Sequence, residues 1–362
     1  VRLTADGGLW STGRATGGAP VTAVLEVSGA VLSWVVDGGA DEPPSITFTD
    51  PERADWLWRV LGEAGHVAAL GALAGRQPGQ PIELPGVQLL PGSTDALRRL
   101  AIGHWLRRWW PASDRDGIGA LERPVLDAEL ALLTAAAEDF FTDDTLDSDA
   151  AALLAPHPET LNSLAGQGDP RVTELVAKCR ELAGDLGLDW PDRTTTVPRR
   201  DDYALAAGRG DGSGEPGLIV RGAGTVVWSA VPPGVFDAAE DTIEWSVTGT
   251  GEEADAVVQV ALAGPGSAGI GVELRGAGCE GSGVLDAAGR AVLPLRDPEG
   301  QRLSETRAWN LDWSHTTVSV GAEGITESAP ERARVRAFAR ARLAAPPADA
   351  FLAEIRAAES DY

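Results

Sequence analysis

Gly283-Val-Leu-Asp-Ala-Ala-Gly-Arg-Ala-Val-Leu-Pro-Leu295 decides what the second half of this chain is. Two short apolar runs flank a small, polar, glycine-ended turn, the signature of a β-hairpin. Working outward, similar runs recur at Leu218–Arg221, Thr225–Ser229, Thr242–Val247, Ala256–Ala263, Ile270–Arg275, Ser282–Leu285, Ala291–Leu295 and Thr316–Val320. Short strands separated by Gly-rich turns predict a β-sandwich domain over residues 218–328.

At the level of strand pattern this half resembles sandwich modules of the transthyretin or immunoglobulin kind. The resemblance implies a fold and carries no functional residue. Gly264, Gly266 and Gly269 satisfy a formal G-x-G-x-x-G directly after a strand-like run. A dinucleotide site needs a helix next, so that its N-terminus can hold the pyrophosphate. Ile270-Gly-Val-Glu-Leu-Arg275 alternates like a strand instead, so the glycines are expected to form a loop between strands.

Upstream, residues 191–217 carry Pro191, Pro198 and Pro216 and the glycines 208, 210, 212 and 214, and are expected to be a linker. Residues 1–190 predict a mainly helical α+β domain that opens with a small β-meander. Val21–Val27 and Ala30–Val36 flank the Ser28-Gly29 turn, and Ile46–Phe48 follows. Asp50-Pro51-Glu52 reads as a helix start, with Asp as N-cap and Pro in the first position. Leu57, Val60, Leu61 and Ala64 then share one helical face. Further helices are expected over Thr94–Trp110, Leu126–Phe141 and from Pro170 to Gly184; Ile82–Leu90 is an edge strand or a loop. Residues 329–362 predict a C-terminal helical extension that packs back on one of the domains. Arg332, Arg336 and Arg340 fall on one face of it, and Val335, Ala339 and Leu343 on another. The fold class is α+β.

The composition limits the function. The chain has 362 residues, 43% apolar and 23% charged, with no run near the ~18 apolar residues of a membrane-spanning helix. It reads as soluble and globular, without a membrane role. Thirty basic against fifty-four acidic side chains give a net charge of −24. Nucleic acid is therefore not expected as a ligand, because phosphate binding needs clustered Lys and Arg. One lysine (Lys178), two asparagines (Asn162, Asn310) and no methionine point to a GC-rich, bacterial genome. Val1 fits a GUG start, a trimmed chain or a processed one; the segment after it has no signal-peptide pattern. Cys179 and Cys279 lie far apart in no C-x-x-C spacing, so free thiols and a cytoplasmic location are expected.

Several segments have residues suited to chemistry or binding. Leu97-Arg-Arg-Leu-Ala-Ile-Gly-His-Trp-Leu-Arg-Arg-Trp-Trp110 puts three Trp and four Arg in one helix. Both residue types are enriched at binding hot spots. The four arginines scatter around the helix, which argues against a membrane-surface role. The plainer expectation is a central helix with tryptophans in the core and arginines paired with acids. The run Glu138, Asp139, Asp143, Asp144, Asp147 and Asp149 lacks the spacing of a calcium loop and is expected to be solvated or arginine-paired. His157, held between Pro156 and Pro158 near that run, is a candidate base. Trp309-Asn-Leu-Asp-Trp-Ser-His315 suits a stacking loop, or else a core anchor with an Asx turn. No G-x-S-x-G, H-E-x-x-H or Walker-type loop is present.

These features predict a non-catalytic protein- or peptide-binding protein, an adaptor or accessory, with no catalytic residue, metal or cofactor. Its contacts would be Trp105, Arg107, Arg108, Trp109, Trp110, Trp309 and Trp313, and its acidity favours a basic partner. Two alternatives stand beside it. One is an enzyme of unfamiliar type with His104 or His157 and the 138–149 carboxylates around a pocket. The other is a carbohydrate-binding sandwich that displays Trp309 and Trp313 on a groove.

Overall fold

The computed structural model describes residues 1–13, 17–39, 42–74, 76–138, 140–141, 147–191, 217–276 and 278–360. The expected linker, apart from Pro191 and Gly217, lies outside them. The fold is α+β, and the chain divides into two compact units. One comprises Val1–Trp110, Leu121–Thr196 and Pro330–Tyr362; the other comprises Pro111–Ala120 and Val197–Ala329.

In the first unit, β1 (Arg2–Asp6), β2 (Leu9–Thr12), β3 (Thr22–Val27), β4 (Ala30–Val35), β5 (Ser45–Phe48) and β6 (Ile82–Glu83) form one antiparallel sheet in the order β3-β4-β5-β2-β1-β6. The Ser28-Gly29 turn joins β3 to β4 as expected, with Val27 opposite Ala30. Asp50 does cap, accepting from Glu52 N, but what it starts is a single 3-10 turn, Pro51–Arg53. The helix proper is α1 (Trp58–Leu73), and Gly62 breaks it with φ 72° and ψ 165°. The break moves the buried face. Leu57, Val60 and Leu61 are buried as expected, but Ala64 is exposed, and Gly65, Ala69 and Leu73 take its place. A β-carbon resists that backbone conformation and glycine does not, so Gly62 overrides the 3.6-residue pattern.

The remaining helices are α2 (Asp95–Trp109), α3 (Arg123–Glu138), α4 (Asp147–Leu154), α5 (Pro158–Ala165) and α6 (Pro170–Asp185). Helix α2 lies against β3 and α3. It approaches α3 closely at Gly103, where a β-carbon would meet Leu130 Cδ2 at 2.4 Å and Phe351 Cζ at 2.6 Å. Phe351 directly precedes the last helix. Thus α8 (Ala329–Ala344) and α9 (Leu352–Ser360) supply part of this unit's core. The two faces expected of α8 are not kept apart: Arg332, Arg336 and Arg342 are buried together with Val335 and Ala339, and Leu343 is half-buried. For Arg342 the cause is explicit. Its guanidinium reaches Glu354, itself fully buried, with Nη2 2.8 Å from Oε2. A buried cation survives when such a partner takes its donors.

In the second unit, β7 (Leu218–Gly224), β8 (Ile243–Gly249), β9 (Ala254–Val260) and β12 (Arg290–Pro294) form a sheet ordered β12-β9-β8-β7. A second sheet, ordered β11-β10-β13, contains β10 (Gly271–Gly276), β11 (Cys279–Val284) and β13 (Thr317–Val320). The inward side chains of both sheets, such as Trp245, Val258, Leu274 and Leu293, form one apolar core, and α7 (Glu305–Trp309) adds Ala308. On β9, Ala254, Ala256, Val258 and Val260 alternate inward, the period a half-buried strand requires.

Two segments of this unit depart from what their sequence predicts. The turn of the quoted stretch forms, with Asp286 N bonded to Arg290 O at 2.8 Å and Gly289 N to Asp286 O at 3.1 Å. Its two strands nevertheless join different sheets: β11 pairs with β10, and β12 with β9. The inward positions of β11 are Cys279, Gly281 and Gly283, and at the two glycines a β-carbon would stand 2.9 Å from Leu295 Cδ2 and 2.8 Å from Leu293 Cδ2. Without side chains at these glycines β11 lies close over β12, and the two runs exchange backbone hydrogen bonds at Glu280 and Arg296. Secondly, 225–229 is not a strand but leads into a 3-10 turn, Trp228–Ala230. The carboxylate of Glu327 accepts from Trp228 N at 2.9 Å and Ser229 N at 2.7 Å, occupying donors that a ladder would need. The 264–269 glycines form the expected loop between β9 and β10. Residues 111–120 belong to this unit, with Ala238 N bonded to Ala112 O. Among the described residues no helix is long and apolar enough to cross a membrane.

Candidate functional site

Helix α3 contains Val125-Leu-Asp-Ala-Glu-Leu-Ala-Leu-Leu133, an apolar run interrupted by two carboxylates. Residues two apart point about 200° from each other around a helix, so Asp127 and Glu129 meet different neighbours.

Asp127 faces the last turn of α2 and the start of α5. Its side chain is 3% exposed and accepts from Arg107 Nε at 2.8 Å, Arg123 Nε at 2.9 Å and His157 Nε2 at 3.0 Å. Burial pushes this carboxyl up, but the hydrogen bonds from His157 and Arg123 and the charges of Arg123 and Arg107 outweigh it. The group therefore titrates below its ordinary value. Nearby His104 is held below its usual range by burial and then by Arg107. A histidine bonded to a buried carboxylate is how a base is oriented in many acid–base sites. Here two guanidiniums share that carboxylate, and the group ties α2, α3 and α5 together.

The arginines of α2 are pinned along its length. Arg98 pairs with Asp349 and Arg99 with Glu129, both at 3.4 Å, and Arg107 pairs with Asp127. The Arg108 guanidinium stacks over the Trp109 ring at 4.2 Å. Trp105 is 3% exposed, donates to Pro20 O at 2.6 Å and meets Phe338 edge-on at 5.5 Å. Arg107, Arg108, Trp109 and Trp110 are half-buried. Of these five expected partner residues, one is therefore a core anchor and four are partly exposed.

Glu129 opens onto a cleft of about 350 Å³. Its apolar walls are Leu132, Leu133, Leu175, Leu352 and Ile355, and Arg171, Glu174 and Lys178 form the rim. Glu129 Oε2 accepts from Leu352 N at 2.6 Å, capping α9 from a neighbouring helix. Burial pushes this carboxyl up to about 7, against the backbone bond from Leu352 and the charge of Arg99. Arg99 lies over Phe351, 5.1 Å from its ring centre, and its buried Nε has no hydrogen-bond partner. Sequence reasoning passed over this cleft, although an acid inside an apolar helical run is a signal in itself.

The other candidates are placed as follows. Trp309 is 54% exposed, whereas Trp313 is half-buried and donates to Ala308 O at 2.9 Å, so the two do not form an exposed pair. Asn310 bonds Thr306 O, and Asp312 accepts from Ser314 N, building the turn between them. Of the acidic run, Glu138 is half-buried and Asp149 exposed. Asp139, Asp143 and Asp144 lie outside the described residues. Asp147 begins α4, and its side chain is likewise outside the description. Among the described residues, no three His, Cys, Asp or Glu side chains are grouped to hold a metal ion. Cys179 and Cys279 are buried free thiols, pushed up by burial to about 12 and about 11, and so stay protonated. No protein-family model, no curated protein and no solved structure matches this chain.

Proposed function

We propose that the protein works by binding a protein or peptide partner through the last turn of α2. The observation that carries this is the fixed presentation of Arg107, Arg108, Trp109 and Trp110. Arg107 is clamped by buried Asp127, Arg108 is stacked on Trp109, and the helix behind them is anchored by buried Trp105. Side chains already held in place lose little conformational freedom on binding, and Trp and Arg are the residue types that dominate such contacts. Trp309, on the second unit, offers a separate exposed aromatic surface. The net charge of −24 favours a basic partner by long-range attraction.

The test compares the wild type with Trp109→Ala/Trp110→Ala as immobilised bait in a lysate of the source organism. A partner retained by the wild type, lost by the double variant and retained by Trp309→Ala supports α2 as the contact. Melting temperatures of bait proteins are measured alongside. The double variant is expected to stay within a few degrees of the wild type, while Trp105→Ala, a core truncation, loses about 3 kcal/mol. Equal retention by wild type and double variant overturns the proposal.

A further inference from the structure

The cleft beside Glu129 combines three features that nothing in partner binding at α2 requires. Its walls are apolar, and its volume of about 350 Å³ is within the range of small-molecule sites, ~300–1,000 Å³. One wall holds a cation with a single long ion pair: Arg99 lies over Phe351, sits 3.4 Å from Glu129, and keeps its side chain 36% exposed. Its rim carries Arg171, Glu174 and the chain's single lysine, Lys178. The rim cations are already engaged, Arg171 by Asp169 and Glu359 and Lys178 by Glu174 at 2.8 Å, which leaves Arg99 as the group with capacity to spare.

We propose that this cleft binds a small amphipathic carboxylate, with its head on Arg99 and beside Glu129 and its alkyl tail along the leucine walls. A carboxylate accepts from a guanidinium at both oxygens, a geometry that an ammonium or alcohol head cannot supply. A protonated Glu129 donates its O–H to the incoming head; an ionised one repels it. Binding above neutrality therefore takes up one proton at Glu129, and affinity falls as pH rises through its value of about 7. The charged groups around this carboxyl are Arg99 on α2, Arg171, Glu174 and Lys178 on α6, and Glu354 on α9. Arg342 on α8 pairs with Glu354, and the Cys179 thiol on α6 stays neutral.

Octanoate is the probe, with octylamine and octanol as matched tails, and binding is read by calorimetry on the full chain. Octanoate is expected to bind at pH 6 and to weaken about tenfold by pH 8, the result of one proton linked to a group at about 7. Glu129→Gln keeps a donor at that position and should bind with a flat pH profile. Leu132→Trp fills the cleft while Arg99 and Glu129 are retained and should abolish binding; its circular dichroism spectrum establishes that it folds. The proposal is overturned by no octanoate binding up to about 5 mM at pH 6. It is equally overturned if octylamine or octanol binds as well, if Leu132→Trp leaves affinity unchanged, or if Glu129→Gln keeps the pH dependence.

Discussion

Asp127 and Glu129 stand two positions apart on one helix, and their surroundings drive their carboxyls in opposite directions. Both are largely buried, so desolvation alone would raise both. Asp127 has three charged or ring donors and ends below its ordinary value, whereas Glu129 has the backbone donors of Leu352 and Ala353 and a distant guanidinium and ends above. For Asp127 the depressed value means that its stabilisation is present above about 3.8, the unfolded value, and is lost as pH falls further. Asp127→Asn leaves Arg107, Arg123 and His157 without their anion. Because both arginines also reach water, the expected loss is about 2 kcal/mol at pH 7 rather than the larger figure for a fully buried pair. Urea unfolding at pH 7 and pH 3 checks this: the gap between wild type and variant should narrow at the lower pH. A gap unchanged at pH 3 would mean the charge of Asp127 does not hold this cluster together.

At the scale of elements, helices and strands come together where glycine removes a side chain. Gly103→Ala places a methyl group within 2.4 Å of Leu130 and 2.6 Å of Phe351. Overpacking of that kind costs about 1–3 kcal/mol, and chemical denaturation should report it despite the gain in helix propensity. The same elements mark how far the sequence could be read. Alternation such as Ala254, Ala256, Val258 and Val260 made the strands of the second unit legible, and Pro111 after α2 and Pro170 at the start of α6 marked those helix ends. The parting of β11 from β12 was not legible. Turn chemistry at 286–289 is the same for a hairpin and for a step between sheets, and only the neighbours of Gly281 and Gly283 distinguish them. The shift at Gly62 was hidden for a related reason, since a lone glycine in a helical pattern does not announce its φ. The Arg/Trp helix was visible as an unusual segment, whereas the Glu129 cleft is assembled from α2, α3, α6 and α9, and no local window contains it.

Over the whole molecule, fifty-four acidic against thirty basic side chains impose self-repulsion on any compact state. Salt screens that repulsion over about 10 Å at 0.1 M, while shielded pairs such as Arg342–Glu354 feel it little. The melting temperature is therefore expected to rise between about 10 mM and 200 mM sodium chloride, as scanning calorimetry would record; a fall would mean that exposed ion pairs outweigh the repulsion. The path of the backbone has a different consequence. The first unit is built from three separate stretches, with the segments 111–120 and 197–329 going to the second unit in between. Phe351, fully buried against Gly103, belongs to the last of the three. During translation, a ribosome that has just completed residue 329 will have synthesised the described strands of the second unit, while the first still lacks the helices that close its core. The half begun earlier is thus finished later, and its unfinished apolar surface must be protected in the nascent chain until those helices emerge.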